Sequence, residues 1–237
     1  MTARRHPGWF VVFEGGDGVG KSTQVTLLAH ALASAGVPHL VTREPGGTAV
    51  GDRIREVLLD PASGDVAPRA EALLYAADKA QHLHEVVVPA LEAGQVVVCD
   101  RYLDSMLAYQ GAGRVLAMRE VSRVADWAIE GLRPDLTVLL DLDPARAVGV
   151  MQTQDRLEAA GAEFHARVRQ GFLDLAATEP ERYLVMPARD ERDHLAAQVR
   201  MRLQALGVEG LEVEGLGELA SDEGESHGGA DEGAAQR

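Results

Sequence analysis

Two kinds of apolar run alternate along this chain. Short runs rich in β-branched and aromatic residues, Phe10-Val11-Val12-Phe13, His39-Leu40-Val41-Thr42, Val96-Val97-Val98-Cys99, Thr137-Val138-Leu139-Leu140 and Tyr183-Leu184-Val185-Met186, read as strands. Most lack the polar alternation of a half-solvated sheet, so both faces are expected to be covered. Longer segments of helical periodicity separate them. Val25, Leu28, Leu32 and Ala35 keep that spacing up to Gly36, a residue suited to the position just past a helix end. Further helices are expected over residues 52–59, 68–79, 82–93, 119–130, 145–151, 164–177 and 191–206. Strands alternating with helices, without an internal repeat, predict an α/β fold, a three-layer sandwich around a five-stranded parallel sheet.

Composition narrows this to one core. The 237 residues are 46% hydrophobic and 25% charged, which suits a single domain, here placed over residues 1–206. From Gly207 onward the chain turns to Gly, Glu, Asp, Ala and Ser, with nine acidic residues against Arg237 alone. Such a stretch buries too little apolar surface to offset its ordering entropy, so 207–237 is expected to be a disordered acidic tail. The formal charge of −14 comes without clustered Lys and Arg, which argues against a nucleic-acid partner. A single cysteine, Cys99, excludes an internal disulfide framework and fits a reducing compartment. The apolar run Trp9 to Phe13 ends at Glu14, too short for a signal core or a membrane span, so no membrane association and a cytoplasmic location are expected.

Chemistry enters at Gly15-Gly16-Asp17-Gly18-Val19-Gly20-Lys21-Ser22, a G-x-x-x-x-G-K-[ST] loop between a predicted strand and a predicted helix. Glycines let successive backbone N–H groups turn around phosphate oxygens, and the helix adds the positive end of its dipole. Lys21 is placed to reach the β- and γ-phosphates of ATP, and the Ser22 hydroxyl to reach Mg²⁺, with Thr23 closing the nucleotide-binding segment. The loop by itself leaves the phosphoryl acceptor open. A guanine-reading Asn-Lys-x-Asp motif is impossible, since the chain contains no Asn. The third strand runs into Asp100-Arg101-Tyr102, and an arginine at a strand's carboxyl end suits a second phosphate better than water activation.

Beyond that loop the chain resembles the thymidylate kinase family. The similar stretches are Phe13 to Thr23, Thr42-Arg43-Glu44-Pro45-Gly46-Gly47-Thr48, Ala76-Ala77-Asp78-Lys79-Ala80-Gln81-His82, Asp100-Arg101-Tyr102, Ala108-Tyr109-Gln110-Gly111 and Asp155-Arg156-Leu157-Glu158. The resemblance implies a P-loop nucleoside monophosphate kinase that moves the γ-phosphoryl group of ATP onto dTMP, with Mg²⁺ as cofactor, as a homodimer. It also implies that Pro45 and Tyr75 enclose the thymine and that Arg55 and Arg101 hold the dTMP phosphate. Lys79, Ser105 and Gln110 would lie near the base or sugar, Asp17 near the sugar hydroxyl and metal, and Asp100 would hold Mg²⁺. Lys21, Arg101 and Arg156 are the candidate catalytic residues, Arg156 in a short lid over 152–162.

Other readings of single residues stay open at this level. Tyr75 keeps helical spacing with Ala72 and Lys79, which also fits a core tyrosine, and Arg55 could pair with Glu56 or Asp52 on a solvated face. The chain departs from the pattern it resembles in three places: Tyr75 and Lys79 stand where Phe and Arg are usual, Met106 follows Ser105, and Gln152-Thr153-Gln154 in the lid is uncharged.

Overall fold

The computed structural model describes residues 6–113, 116–143 and 161–211. In chain order they form β1 (Trp9–Glu14), α1 (Lys21–Ser34), β2 (His39–Arg43), α2 (Ala49–Leu59), α3 (Pro68–His82), α4 (Val88–Glu92), β3 (Val96–Asp100), α5 (Leu103–Met106), α6 (Met118–Ile129), β4 (Leu136–Asp141), α7 (Ala162–Thr178), β5 (Tyr183–Pro187) and α8 (Arg192–Leu206). The sheet is parallel throughout, in the order β2-β3-β1-β4-β5. All five expected strands are present. The helix expected over 145–151 lies outside the described residues.

Alternate side chains of the central strands supply opposite cores. Phe10 and Val12 of β1 join Val97 and Cys99 of β3 in packing against α3, α4 and α6. Val11 and Phe13, with Val96, Val98, Val138 and Leu140, pack against α1 and α8. These strands are covered on both faces, which is why their sequences lack alternation. Register then fixes the chemistry: Phe13 pairs with Asp100, and Asp100 with Arg43, so the carboxyl ends of β1, β2 and β3 share one edge.

Helix ends shift by up to three residues, α2 starting at Ala49, and three larger features differ from the sequence-based expectation. Helices 68–79 and 82–93 form one continuous rod, α3 running through a π turn (Leu83–Val87) into α4. Pro89 lacks an N–H to continue the ordinary ladder, and the wider turn ahead of it lets Val88 N donate to the Leu83 carbonyl. A second π turn, Leu107–Gly113, extends α5, and no helix is expected there from the sequence pattern. Finally, the packed chain passes the expected boundary at 206. Gly207 takes the left-handed conformation that ends α8, and Val208 and Leu211 are buried in the same core as Leu203. The rest of the expected tail, 212–237, lies outside the described residues. No helix among the described residues is long and apolar enough to cross a membrane.

Candidate active site

A cleft of about 370 Å³ opens at the shared strand edge. On one side it is lined by Asp17, Gly18, Lys21 and Ser22, and on the other by Pro45, Arg55, Tyr75, Ser105 and Gln110, with Asp100 and Arg101 between them. Motifs as far apart in sequence as Asp17 and Gln110 therefore converge. Arg156 and most of the lid expected over 152–162 lie outside the described residues.

The loop after β1 is shaped by backbone requirements. Gly15 has φ +130°, and a Cβ there would press into the Leu140 carbonyl of β4, so only glycine lets the loop lie flat on the sheet edge. Gly20, at φ +100°, is the left-handed residue from which α1 starts. Lys21 Nζ donates to the carbonyls of Gly16 at 2.6 Å and Gly15 at 3.2 Å. Burial, reinforced by the neighbouring Arg101 charge, pulls its pKa down to about 8. Ser22 Oγ lies 3.1 Å from Asp100 Oδ2, which pairs two hard oxygen donors at the mouth of the cleft.

Arg101 lies at the centre. It is a non-glycine residue at φ +68°, a conformation that costs on the order of 1–2 kcal/mol and needs outside support. Support comes from Glu14, the last residue of β1. Its Oε1 accepts from Tyr102 N at 2.9 Å and Ser105 N at 3.1 Å, and its Oε2 accepts from Ser105 Oγ at 2.6 Å. The guanidinium Nη1 of Arg101 donates to the Gly15 carbonyl at 2.9 Å and Ser105 Oγ at 3.0 Å, while Nη2 pairs with Asp17. Asp17 also accepts from Tyr109 OH at 2.8 Å. Burial alone would raise the Asp17 pKa, but the charges of Arg101 and Lys21 outweigh it and hold the carboxyl below its usual range.

The opposite side of the cleft has a polar wall. Glu44 lines the cleft, and its buried carboxylate is paired with Lys79 and lies 2.9 Å from His82 Nδ1, whose Nε2 is 2.6 Å from Thr42 Oγ1. Lys79 is therefore set behind the cleft wall, its ammonium 4.5 Å from the centre of the Tyr102 ring, and does not line the cleft where the resemblance implied a base-reading group. The reason is local: an ammonium on a buried helix face finds its nearest anion in Glu44. Asp78, one residue earlier, accepts from Gly46 N at 2.8 Å and so fixes the loop carrying Pro45. Arg55 Nη1 donates to the Pro45 carbonyl at 2.9 Å, which ties it to the loop at the cleft wall.

Several groups here went unassigned in the sequence reading. Glu44 and Tyr109 sit inside motifs that were recognised, but with no role attached, and Glu14 directly precedes the P-loop. A second, smaller recess beside the loop, lined by Val19, Thr23, Gln24, Ala188 and Arg192, had no sequence signal, because half of it comes from the turn after β5. Asp141 at the end of β4 accepts both arms of Arg169 at 2.7 and 2.8 Å, a structural brace between β4 and α7. Among the described residues no group of three or more His, Cys, Asp or Glu could hold a metal.

This geometry has close relatives. The thymidylate kinase family profile matches residues 13–199. The thymidylate kinase of Cutibacterium acnes is 60% identical over 199 residues, covering 84% of this chain and 98% of that protein. The thymidylate kinase of Deinococcus radiodurans is 51% identical over 197 residues, covering 81% of this chain and 94% of that one. Among solved structures, thymidylate kinase from Ehrlichia chaffeensis superposes with a TM-score of 0.70 at 32% identity, covering 83% of this chain and 98% of that one. On both sequence and architecture, the chain belongs to the thymidylate kinase family.

Proposed function

We propose that this chain transfers the γ-phosphoryl group of ATP to dTMP, releasing dTDP and ADP. The observation that carries the reading is that Arg101, the acceptor-side cation, hydrogen-bonds the Gly15 carbonyl of the donor-binding loop, so the two phosphates would meet in one cleft. Residues 15–23 hold the ATP phosphates through backbone N–H groups and Lys21, and the recess by Gln24 and Arg192 suits the donor base. Arg55 and Arg101 clamp the dTMP phosphate, and Pro45 and Tyr75 cover the thymine faces, with Ser105 and Gln110 at the sugar and base edges.

The nucleophile is an ionised phosphate oxygen, so no general base is required. That oxygen bonds to the γ-phosphorus while the bond to the β–γ bridging oxygen breaks, and ADP leaves with the charge. Lys21 and Arg101 stabilise charge on the moving group and hold the reactants in line. Ser22 and Asp100, two hard oxygen donors 3.1 Å apart, would hold Mg²⁺, Asp100 through water. When bound, that ion would neutralise the phosphate charge and align the donor. Arg156 is the lid candidate for further positive charge.

A homodimer is the assembly we favour. Trp127 of α6 is 81% exposed, and it lines a groove of about 600 Å³ with Leu73, Leu116 and Val124, an apolar face that a second copy would cover.

A coupled assay with Mg-ATP over dTMP, dUMP, dCMP, dGMP and AMP tests the function. The highest kcat/KM is expected for dTMP. A clear preference for another monophosphate, or no turnover of any, would overturn the assignment.

A further inference from the structure

We infer that Glu71 is a positioning residue for base selection: it fixes the Gln110 amide so that its carbonyl oxygen serves a base bearing a proton on N3. The inference rests on the reading that the cleft takes a nucleoside monophosphate with its base beside Tyr75.

Gln110 lines the cleft next to Tyr75 and Met106. Its Nε2 donates to Glu71 Oε1 at 3.2 Å, and the two side chains are 1% and 0% exposed. The other arm of the amide, Oε1, is buried and has no hydrogen-bond partner among the described residues. A buried acceptor left unpaired has lost its water without gaining a partner, so an incoming donor there is strongly favoured. Glu71 sits in the first turn of α3, where the helix dipole favours a carboxylate. Gln110 sits in the π turn after α5, whose wider winding directs it across to α3.

An unrestrained amide can present either end. A carboxylate only accepts, so Glu71 claims the NH₂ group and leaves the oxygen for the ligand. Thymine and uracil carry an N–H at position 3, whereas cytosine carries a lone pair there. The Gln110 oxygen facing cytosine N3 would leave two buried acceptors opposed, and a site built for a donor at that position rejects a base that has none there. Met106, an apolar neighbour, offers cytosine no alternative donor. Discrimination between dTMP and dCMP would then depend on a residue that never touches the base.

The test is kcat/KM for dTMP, dUMP and dCMP in wild type and Glu71→Gln. The isosteric amide can donate to Gln110 and release it to turn. The dTMP to dCMP ratio should fall roughly tenfold to a hundredfold, mainly through KM, while the dTMP to dUMP ratio stays unchanged because both bases share the N3 proton. In a Gln110→Ala background, adding Glu71→Gln should shift the ratio little. A folded Glu71→Gln protein with an unchanged dTMP to dCMP ratio would overturn the inference, as would an equal loss for all three substrates. Should that variant not fold, Glu71→Asp, which withdraws the carboxylate by one methylene, must lower the same ratio at least a few-fold; no change overturns it. Wild type failing to use dTMP at all would instead sink the proposed function, leaving the two failures distinguishable.

Discussion

The ammonium of Lys79 is paired with the carboxylate of Glu44, and neither side chain reaches solvent. Because Glu44 also forms part of the cleft wall, the shape of that wall depends on a buried ion pair. Burial alone would raise the Glu44 pKa; Lys79 and His82 reverse this and hold it low, so the carboxylate stays ionised. Lys79→Ala should strand that charge and cost about 3–5 kcal/mol of stability, measured by urea denaturation near neutral pH. A midpoint unchanged within error would mean that the pair contributes nothing to the fold.

How much of this was legible before folding depended on distance along the chain. The strands and the P-loop were, because β-branched runs and the Gly15 to Ser22 spacing are local patterns with local causes. Lys79 was half legible. Its spacing with Ala72, Tyr75 and Ala76 places it on the buried stripe of α3, but nothing in that stripe says that the ammonium meets Glu44, thirty-five residues earlier. The π turns were illegible for a related reason: residues 107–113 contain two glycines and read as poor helix, yet α7 packs over them and holds the winding in place. The acidic tail was placed a few residues early, since Val208 and Leu211 are too few to register as a periodic segment and gain their burial only from a core built elsewhere.

That last point gives a pair of truncations. Removing 212–237 should leave the melting temperature within a degree or two, because the sequence beyond 211 has little apolar surface to bury. Removing 207–237 also deletes two buried side chains and the Gly207 turn that caps α8, a loss of about 3–5 kcal/mol. Equal melting curves for the two products would show that Val208 and Leu211 are not integral to the core.

Glu14 should make stability depend on pH in an unusual direction. Burial, with the nearby Asp104 charge, raises its pKa from 4.5 to about 7. The folded state therefore binds this proton more tightly than the unfolded chain, and the group's contribution is fully present below about pH 4.5 and lost as pH rises to about 7. Glu14→Gln keeps the shape and an acceptor for Tyr102 N and Ser105 N but carries no charge. Its stability relative to wild type should rise by on the order of 2–3 kcal/mol between pH 5 and pH 8. A difference that stays flat across this range, followed by chemical denaturation at several pH values, would show that Glu14 is ionised throughout.

Lys21 provides the complementary test on the nucleotide itself. With its pKa lowered from 10.5 to about 8 by burial and by Arg101, a growing fraction of the protein above pH 8 carries a neutral lysine. The ATP polyphosphate would place several negative charges against that nitrogen and favour its protonated form. Binding should therefore take up a proton from solvent, close to none at pH 7 and a substantial fraction of one at pH 9. Calorimetry with a non-hydrolysable ATP analogue, repeated at pH 9 in buffers of different ionisation enthalpy, reads this uptake directly as the slope of apparent enthalpy against buffer enthalpy. Affinity should fall as pH rises from 8 towards 10, by at most about tenfold per unit, since one proton is linked. Lys21→Met should bind more weakly and lose the buffer-dependent part of the signal while its melting curve remains cooperative. Arg101 is the main competing source of any such effect, but the attraction of Asp17 and other acids overrides burial and raises its pKa well above the usual guanidinium value, so it remains charged over this range. A wild-type slope of zero at pH 9 would mean that Lys21 is already fully protonated beside the loop carbonyls, and that burial lowers its pKa far less than its surroundings suggest.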